Sequence, residues 1–487
     1  IRIDDLADDA LDFAPGSGEI EFTADADSDG MGSVVMEDTG ADKDTFADTL
    51  YTNGRDIVIS GASLTLGNIN TTASDQAGAI TLDATGSITT EIIDSSSPVN
   101  GESISLTAGG DIFTQTLKSG SSQGNGGDII LTAGGDIFIS RKTFNPFNPS
   151  DFFSGDTASE GNGGDITLTA DGDINTGSLD SSSYESNGGN ITLVAGGNIS
   201  TEYLNSQSNR GRGNGGAIAI TTTRGRIIIN RFFVGGIVGF LPPRINTSGA
   251  GGGNITLISP AADFQLSDSF INSQASVKGN SGNIQITAAS IALTDTTLNT
   301  SATGMGNAGN ISLTADGSVI LDSSQFFASL EPGGIGRGGN VAIDGGTVSL
   351  TNFSLDTTTF GQGDGGNISI TADDSFSLID TELVSLSAGR GNAGNISILA
   401  DGLLELDKSR LFTSLEPGGI GRGGNITIEV REVSLTNFSF IDSATFGQGD
   451  AGNVSITTDD SVALDHNSAI FSITSGQGKG GNVRVTA

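Results

Sequence analysis

The sequence predicts an all-β fold. It reads as a single-stranded right-handed parallel β-helix (β-solenoid) of about 16–17 coils, each of about 29 residues with three short strands. Three observations carry this. Glycine supplies 74 of 487 residues, about twice its usual share, and sits in clusters. Each cluster leads into Asn or Asp and then into alternating apolar and polar residues, as in "NISLTADG" from Asn310, "NISITADD" from Asn367 and "DITLTADG" from Asp165. The clusters also recur evenly. Twelve clear anchors, with Glu19, Asp56, Ala79, Ser103 and Ala217 in equivalent weaker places, run from 19 to 482. Their mean spacing is that coil length, inside the range of solenoid repeats.

Within a coil the period is two. In "NISLTA", Ile311, Leu313 and Ala315 point one way and Ser312 and Thr314 the other, the alternation of a strand with one buried face. Asp316-Gly317 turns the chain into a second short strand with Val319 and Leu321. An Asp/Ser turn then leads to a third strand around 327–330, and the Gly-rich loop closes the coil. β-branched residues and Thr dominate the strands, and Gly and Asn mark the bends that need positive φ. Such strands cannot bury their faces singly; stacking coil on coil with parallel pairing does so. At about 4.8 Å per coil the stack would extend roughly 75–80 Å. Aligned Ile, Val and Leu should form internal columns. Asn at one place in successive coils should form an amide-to-amide ladder, because a primary amide both donates and accepts.

A longer period lies over the coil. Asn310 recurs as Asn395 and Asn340 as Asn425 at one and the same interval, and Asn367 recurs as Asn453 one residue later than that interval requires. A three-coil block at 306–390 is therefore copied at 391–475. The copy explains why "SLEPGGIGRGGN" occurs letter for letter at 329–340 and 414–425, where Pro reads as a rigid entry into the bend. At the domain level, residues 1–54 read as acidic coils with irregular loops. Residues 55–487 read as regular β-helix with insertions near 140–160 and 230–250.

Composition narrows the function classes. Asp and Glu outnumber Lys and Arg 57 to 21, a formal charge of −36. That surface repels phosphate backbones, which argues against nucleic acid, and favours solubility and divalent cations. Without cysteine there is neither a disulfide framework nor a thiolate metal site. No apolar run is long enough to cross a bilayer, so no transmembrane segment is expected. The chain opens on Ile1 without a basic, apolar leader and ends mid-pattern in "GNVRVTA", and neither end shows a polar cap. The expectation is a processed product or fragment. Its solenoid either continues in a longer chain or packs, end to end or laterally, against itself or neighbouring chains.

Strings such as "GNGGDITLTADGDINTGSLDSSS" (161–183) and "GGNITLVAGGNIST" (188–201) resemble the repeat region of filamentous-haemagglutinin-like exoproteins of the two-partner secretion type, especially the large cyanobacterial ones. The resemblance runs from about Gly54 to the end. It implies export through an outer-membrane partner pore and a place outside the bacterial cell or on its outer surface. It also implies roles in adhesion, biofilm matrix or surface filaments. That family's secretion domain carries an Asn-Pro-Asn-Gly motif; "NPFNPS" at 145–150 is not that motif, so this chain corresponds to shaft rather than secretion signal.

Several motifs carry candidate chemistry. G-x-G-x-x-G, the dinucleotide-binding fingerprint, starts at Gly211, Gly304, Gly334, Gly361, Gly389, Gly419, Gly447 and Gly476. Every match ends one residue before an anchor and so leads into a strand. A true fingerprint opens a helix, whose N-terminus holds the pyrophosphate. The matches therefore read as coil corners. The N-x-S/T sequons at Asn190, Asn310, Asn395 and Asn453 coincide with anchors, where a glycan would obstruct stacking. "DADSDG" places Asp25, Asp27 and Asp29 at alternate positions before glycine, as in a calcium loop, with Glu37 one residue beyond the glutamate position and Asp38 and Asp42 nearby. Calcium is the one cofactor this admits; an acidic surface turn is the competing reading.

The two insertions, 141–153 and 231–244, hold Phe144, Phe147, Phe152, Phe153, Phe232, Phe233 and Phe240, with Phe138 at the edge. They either cover a flank of the solenoid or dock another chain, a lipid surface or a surface glycan. His466 stands alone in a turn, and no nucleophile, base and orienter can be assembled around it. The expected function is a structural or adhesive shaft segment of a large secreted protein, without catalysis. The alternatives are a polysaccharide-binding or polysaccharide-processing β-helix and a calcium-dependent surface-layer or filament subunit.

Overall fold

A computed structural model of the chain describes residues 2–3, 10–16, 18–24, 31–36, 49–140, 161–230, 232–233, 240–241 and 244–487. These residues form strands, turns and bends and no helix. Strands of successive coils pair in parallel, giving the expected β-solenoid, with about 15 turns of roughly 28 residues. Each of the seventeen anchors stands at the start of a strand or one residue before it. The chain divides into two compact units, Ile1–Asn246 and Thr247–Ala487.

In the N-terminal unit the strands Ile80–Ala84, Ile104–Ala108, Ile129–Ala133, Ile166–Ala170, Ile191–Ala195 and Ile218–Thr222 pair residue for residue. Ile80, Ile104, Ile129, Ile166, Ile191 and Ile218 thus form one buried column, and Leu82, Leu106, Leu131, Leu168, Leu193 and Ile220 a second. Each buried Ile or Leu contributes about 1.5–3 kcal/mol. The regular coil here is shorter than the mean expected from the sequence: the anchors Asp165 and Asn190 stand 25 apart. Longer steps raise the mean, such as Asp128 to Asp165, which are 37 apart. The first corner holds an acidic ladder. Asp111 Oδ1 accepts the Asp136 N–H at 2.8 Å, Asp136 Oδ1 that of Asp173 at 2.7 Å, and Asp173 Oδ1 that of Asn198 at 2.6 Å.

In the C-terminal unit the coil is longer. The interval between anchors runs from 27, Asn283 to Asn310, up to 30, Asn310 to Asn340. First and second strands run almost continuously. Ile396–Asp407 is a single strand with a register shift between Ala400 and Leu403. The second corner then places residues in the left-handed region: Asp268, Asp295, Ser323, Asn352, Asp380, Lys408 and Asn437, with φ between 48° and 53°, the last followed by Phe438 in the same region. Asp and Asn predominate because their short polar side chains tolerate that conformation best after glycine.

The residue that follows, or in the Asn437 coil the second that follows, points into the corner, and a hydroxyl usually fills the place. Ser324 Oγ accepts the Thr296 N–H, Ser409 Oγ that of Thr381 and Ser439 Oγ that of Ser409, each at 3.1 Å. Ser409 Oγ in turn donates to the Leu378 carbonyl at 2.9 Å. Phe353 takes this place in one coil and packs edge-on against Phe326 at 4.9 Å. The third strand is shorter and earlier than expected. It is Gln325–Phe327, and Leu330 beyond it makes two isolated bridges, one to Ala302 and one to Thr359.

The anchor ladder exists in both units. The expected amide-to-amide bond is made by Asn395 Nδ2 to Asn367 Oδ1 at 3.2 Å and by Asn453 Nδ2 to Asn425 Oδ1 at 3.4 Å, but the contact that recurs at every step between Asn and Asp anchors is a different one. The side-chain oxygen of each Asn or Asp anchor accepts the backbone N–H of the next anchor, and Ala79 and Ala217 interrupt the ladder. Asn310 Oδ1 accepts from Asn340 N, and Asn340 Oδ1 from Asn367 N, both at 2.8 Å. Only an acceptor is needed, so Asp serves as well: Asp128 Oδ1 accepts from Asp165 N at 2.8 Å. This explains why Asn and Asp exchange freely at anchors. Asn340→Ala should therefore lower the free energy of unfolding by about 1 kcal/mol, whereas Asn340→Asp should stay close to wild type. Chemical denaturation measures both.

Candidate functional site

The third corner, where the G-x-G-x-x-G matches lie, is set by close approach of backbones. A Cβ on Gly336, Gly363, Gly391 or Gly421 would come closer than 3.0 Å to the carbonyl oxygen of the equivalent glycine one coil earlier. The same holds for Gly339, Gly366, Gly394 and Gly424, the last glycines of the motif. Glycine is required because the preceding coil already occupies the Cβ position. A buried hydroxyl locks the corner. The Gly366 N–H donates to the Thr357 carbonyl at 3.0 Å, and the Gly366 carbonyl accepts from Thr357 Oγ1 at 2.8 Å and Ser385 Oγ at 2.7 Å. These amides and carbonyls bond to protein, and strands rather than helices follow. Nothing here forms a pyrophosphate cradle.

The "SLEP" that precedes two of the matches also has a structural reason. Glu331-Pro332-Gly333-Gly334 is a turn in which Gly334 N donates to the Glu331 carbonyl at 3.1 Å, with φ of 87° at Gly333. The copy does the same: Gly419 N donates to Glu416 O at 2.9 Å, with φ of 90° at Gly418. Pro followed by positive-φ Gly is the type II pattern. The turn accommodates an anchor interval of 30, Asn310 to Asn340, beside one of 27, Asn340 to Asn367.

The remaining sequence candidates fall as follows. Asp25, Asp27, Asp29 and Glu37 lie outside the described residues, as do Phe144, Phe147, Phe152 and Phe153. Of the second insertion only backbone pairing is described: Phe232 and Phe233 pair antiparallel with Leu241 and Phe240. Among the described residues no group of three or more His, Asp or Glu is placed to hold a metal ion, and no helix is long and apolar enough to cross a membrane. The sequon residues Asn190, Asn310, Asn395 and Asn453 each accept the next anchor's N–H. His466 is exposed with φ of 47°, and its Nδ1 lies 2.9 Å from Asp465 Oδ2. It occupies a second corner.

Two features were not foreseen. Asp442, on the third strand Phe440–Asp442, is only 5% exposed, and its Oδ1 has no hydrogen-bond partner among the described residues. In register, its neighbours are Phe412 and Phe471. Burial pushes its carboxyl up from 3.8 to about 6, the Ala444 amide opposes the rise, and Glu416 adds to it.

The second feature is an open groove of about 620 Å³ at the second corner of the C-terminal unit. Asn352, Asp380, Lys408 and Asn437, the left-handed residues of four successive coils, line it together with Glu382, Arg410 and Phe438. Glu382 Oε1 and Arg410 Nη1 are 3.3 Å apart. Phe438 is 57% exposed and is itself left-handed, with φ of 64°, a conformation that costs a non-glycine residue about 1–2 kcal/mol. The one sequence signal for it was the interval from Asn367 to Asn453, one residue longer than its two counterparts. A separate open groove of about 440 Å³ in the N-terminal unit is lined by Thr72, Ser96, Ser97, Pro98 and Ser122 and has no titratable group in its lining.

Comparison with known protein families, curated proteins and solved structures finds no match for this chain.

Asp442 generates a pH dependence with a definite sign. An acid whose carboxyl titrates higher in the folded than in the unfolded chain stabilises the fold at low pH; that contribution is lost as pH rises between about 4 and about 6. Asp442→Asn should remove this loss. The variant should gain stability over wild type at pH 7, and the gain should vanish near pH 4, as read from denaturation midpoints across that range.

Proposed function

We propose that this chain is a structural and adhesive shaft segment of a large secreted protein of the cell surface or an extracellular filament, and that it carries out no catalysis. One observation supports the reading most: within each unit, neighbouring coils among the described residues are bound by contacts that recur along the stack. These are parallel backbone pairing on the strands, anchor oxygens on the next anchor's amide, and stacked glycines at the third corner. Such a stack is stiff because no coil can shift without breaking bonds on both of its sides. Outward positions favour this use: on the first strands Ser312, Thr314, Ser369 and Thr371 face out and give those strands a hydroxyl-bearing face. A polysaccharide-processing enzyme asks instead for an acid and a base facing each other across a cleft. In the second-corner groove, Glu382 is already paired with Arg410.

The resemblance to filamentous-haemagglutinin-like exoproteins adds an export route, through an outer-membrane partner pore, and a location outside the cell. Copies of the chain or its neighbours would be the lateral partners. Immunogold electron microscopy of the native organism, with antibodies raised against this chain, tests the reading. Label on surface or extracellular material is expected; label confined to the cell interior would contradict it.

A further inference from the structure

We infer that the second-corner groove of the C-terminal unit is a binding subsite for a neutral oligosaccharide, with the ring of Phe438 as its stacking platform. One hexapeptide of the chain is held in two states. "SLTNFS" occurs at 349–354 and again at 434–439. In the first copy Phe353 is 1% exposed and packs on Phe326; in the second Phe438 is 57% exposed. The difference follows from a single extra residue between the serine and the next aspartate, "FSLD" against "FSFID". Strand register places Ser354, Glu382, Arg410 and Phe440 in one row. The place before that row, inside the corner, therefore belongs to Phe353 in the first copy and to Ser439 in the second. Ser439 Oγ completes the hydroxyl ladder by accepting the Ser409 N–H. Phe438 is left over and stands out from the corner in the left-handed region.

The surroundings of that ring are those of a sugar site. Asn352, Asp380, Glu382, Lys408 and Arg410 line the same groove, which crosses four coils, a span of about 14 Å at the usual strand spacing. A volume of about 620 Å³ lies within the range of small-ligand sites. A sugar ring presents an apolar C–H face and a rim of hydroxyls; an exposed aromatic face bordered by an amide, carboxylates and a guanidinium complements both. The charges select the class. Two carboxylates and two cations cancel within the groove, while the chain as a whole carries −36 and repels polyanions. A neutral glycan fits; a sulfated or uronic one is disfavoured.

This inference gives the adhesive part of the proposed function a place on the molecule. The mechanical part does not depend on it, and the ring lies outside the coil core, so the two can fail separately. The test is saturation-transfer NMR with isothermal calorimetry on the full chain. The probes are cello-, malto-, manno- and chitotetraose, with a heparin tetrasaccharide as the anionic counterpart. At least one neutral tetraose should bind with millimolar or tighter affinity. Phe438→Ala should weaken it about tenfold with an unchanged melting temperature, Phe438→Tyr should retain it, and Arg410→Ala should weaken it independently. The inference is overturned if none of the neutral probes binds or if binding ignores Phe438. It is equally overturned if only the heparin fragment responds to the substitution, or if Phe438→Ala changes self-association while sugar binding stays absent.

Discussion

The structure depends on a steric constraint at the third corner. Where the chain leaves the third strand and returns to the next first strand, the backbone of one coil lies against that of the coil before it. The carbonyl oxygens of Gly339 and Gly336 occupy the positions that Cβ atoms on Gly366 and Gly363 would need. Close approach permits the anchor ladder, because Asn367 can reach back to Asn340 only if its preceding glycine sits tightly on Gly339. It also permits the hydroxyl locks, in which Thr357 and Ser385 converge on the Gly366 carbonyl. Interior Ile and Leu columns supply the larger energy, but they specify only that coils stack. The corner specifies the register in which they do.

Once register is fixed, a repeated coil leaves few sites free to vary, and variation concentrates at the second corner. There the left-handed residue may be Asp, Asn, Ser or Lys, and the inward place may hold a hydroxyl or Phe353. A length change of one residue is absorbed without disturbing the strands on either side, since Arg410 still pairs with Phe440 and Phe412 with Asp442. The cost appears locally, as an ejected Phe438 and a groove. Function on such a scaffold is accordingly sought at corners rather than on strands.

Most of the fold was legible because its rules are local. The alternation of Ile311, Leu313 and Ala315, the glycine before each anchor and the coil interval need no knowledge of distant residues. They give strand, corner and stack directly. The nucleotide fingerprint was separable from a corner by the same means, since each match runs into a strand. What was not legible depends on contacts one coil away. That each Asn anchor turns its oxygen to the next backbone N–H follows from where that N–H lies. Asp442 reads in "FID" as an ordinary outward residue, yet it is buried. Phe353 and Phe438 sit in identical hexapeptides, and the one residue added after the second decides which ring stays inside by placing Ser439 rather than Phe438 against Ser409. The calcium-loop candidate at Asp25, Asp27, Asp29 and Glu37 lies outside the described residues and enters none of this.

Glycine at the third corner is required by the preceding coil's carbonyl. The most direct measurement is the unfolding free energy of Gly366→Ala beside Gly480→Ala. A Cβ on Gly366 would meet only backbone, whereas one on Gly480 would meet a single carbonyl at 3.4 Å, an ordinary contact. Gly366→Ala should lose about 1–3 kcal/mol or more, the cost of overpacking against atoms that cannot yield, and Gly480→Ala almost nothing. Equal, small effects at the two positions would contradict the account.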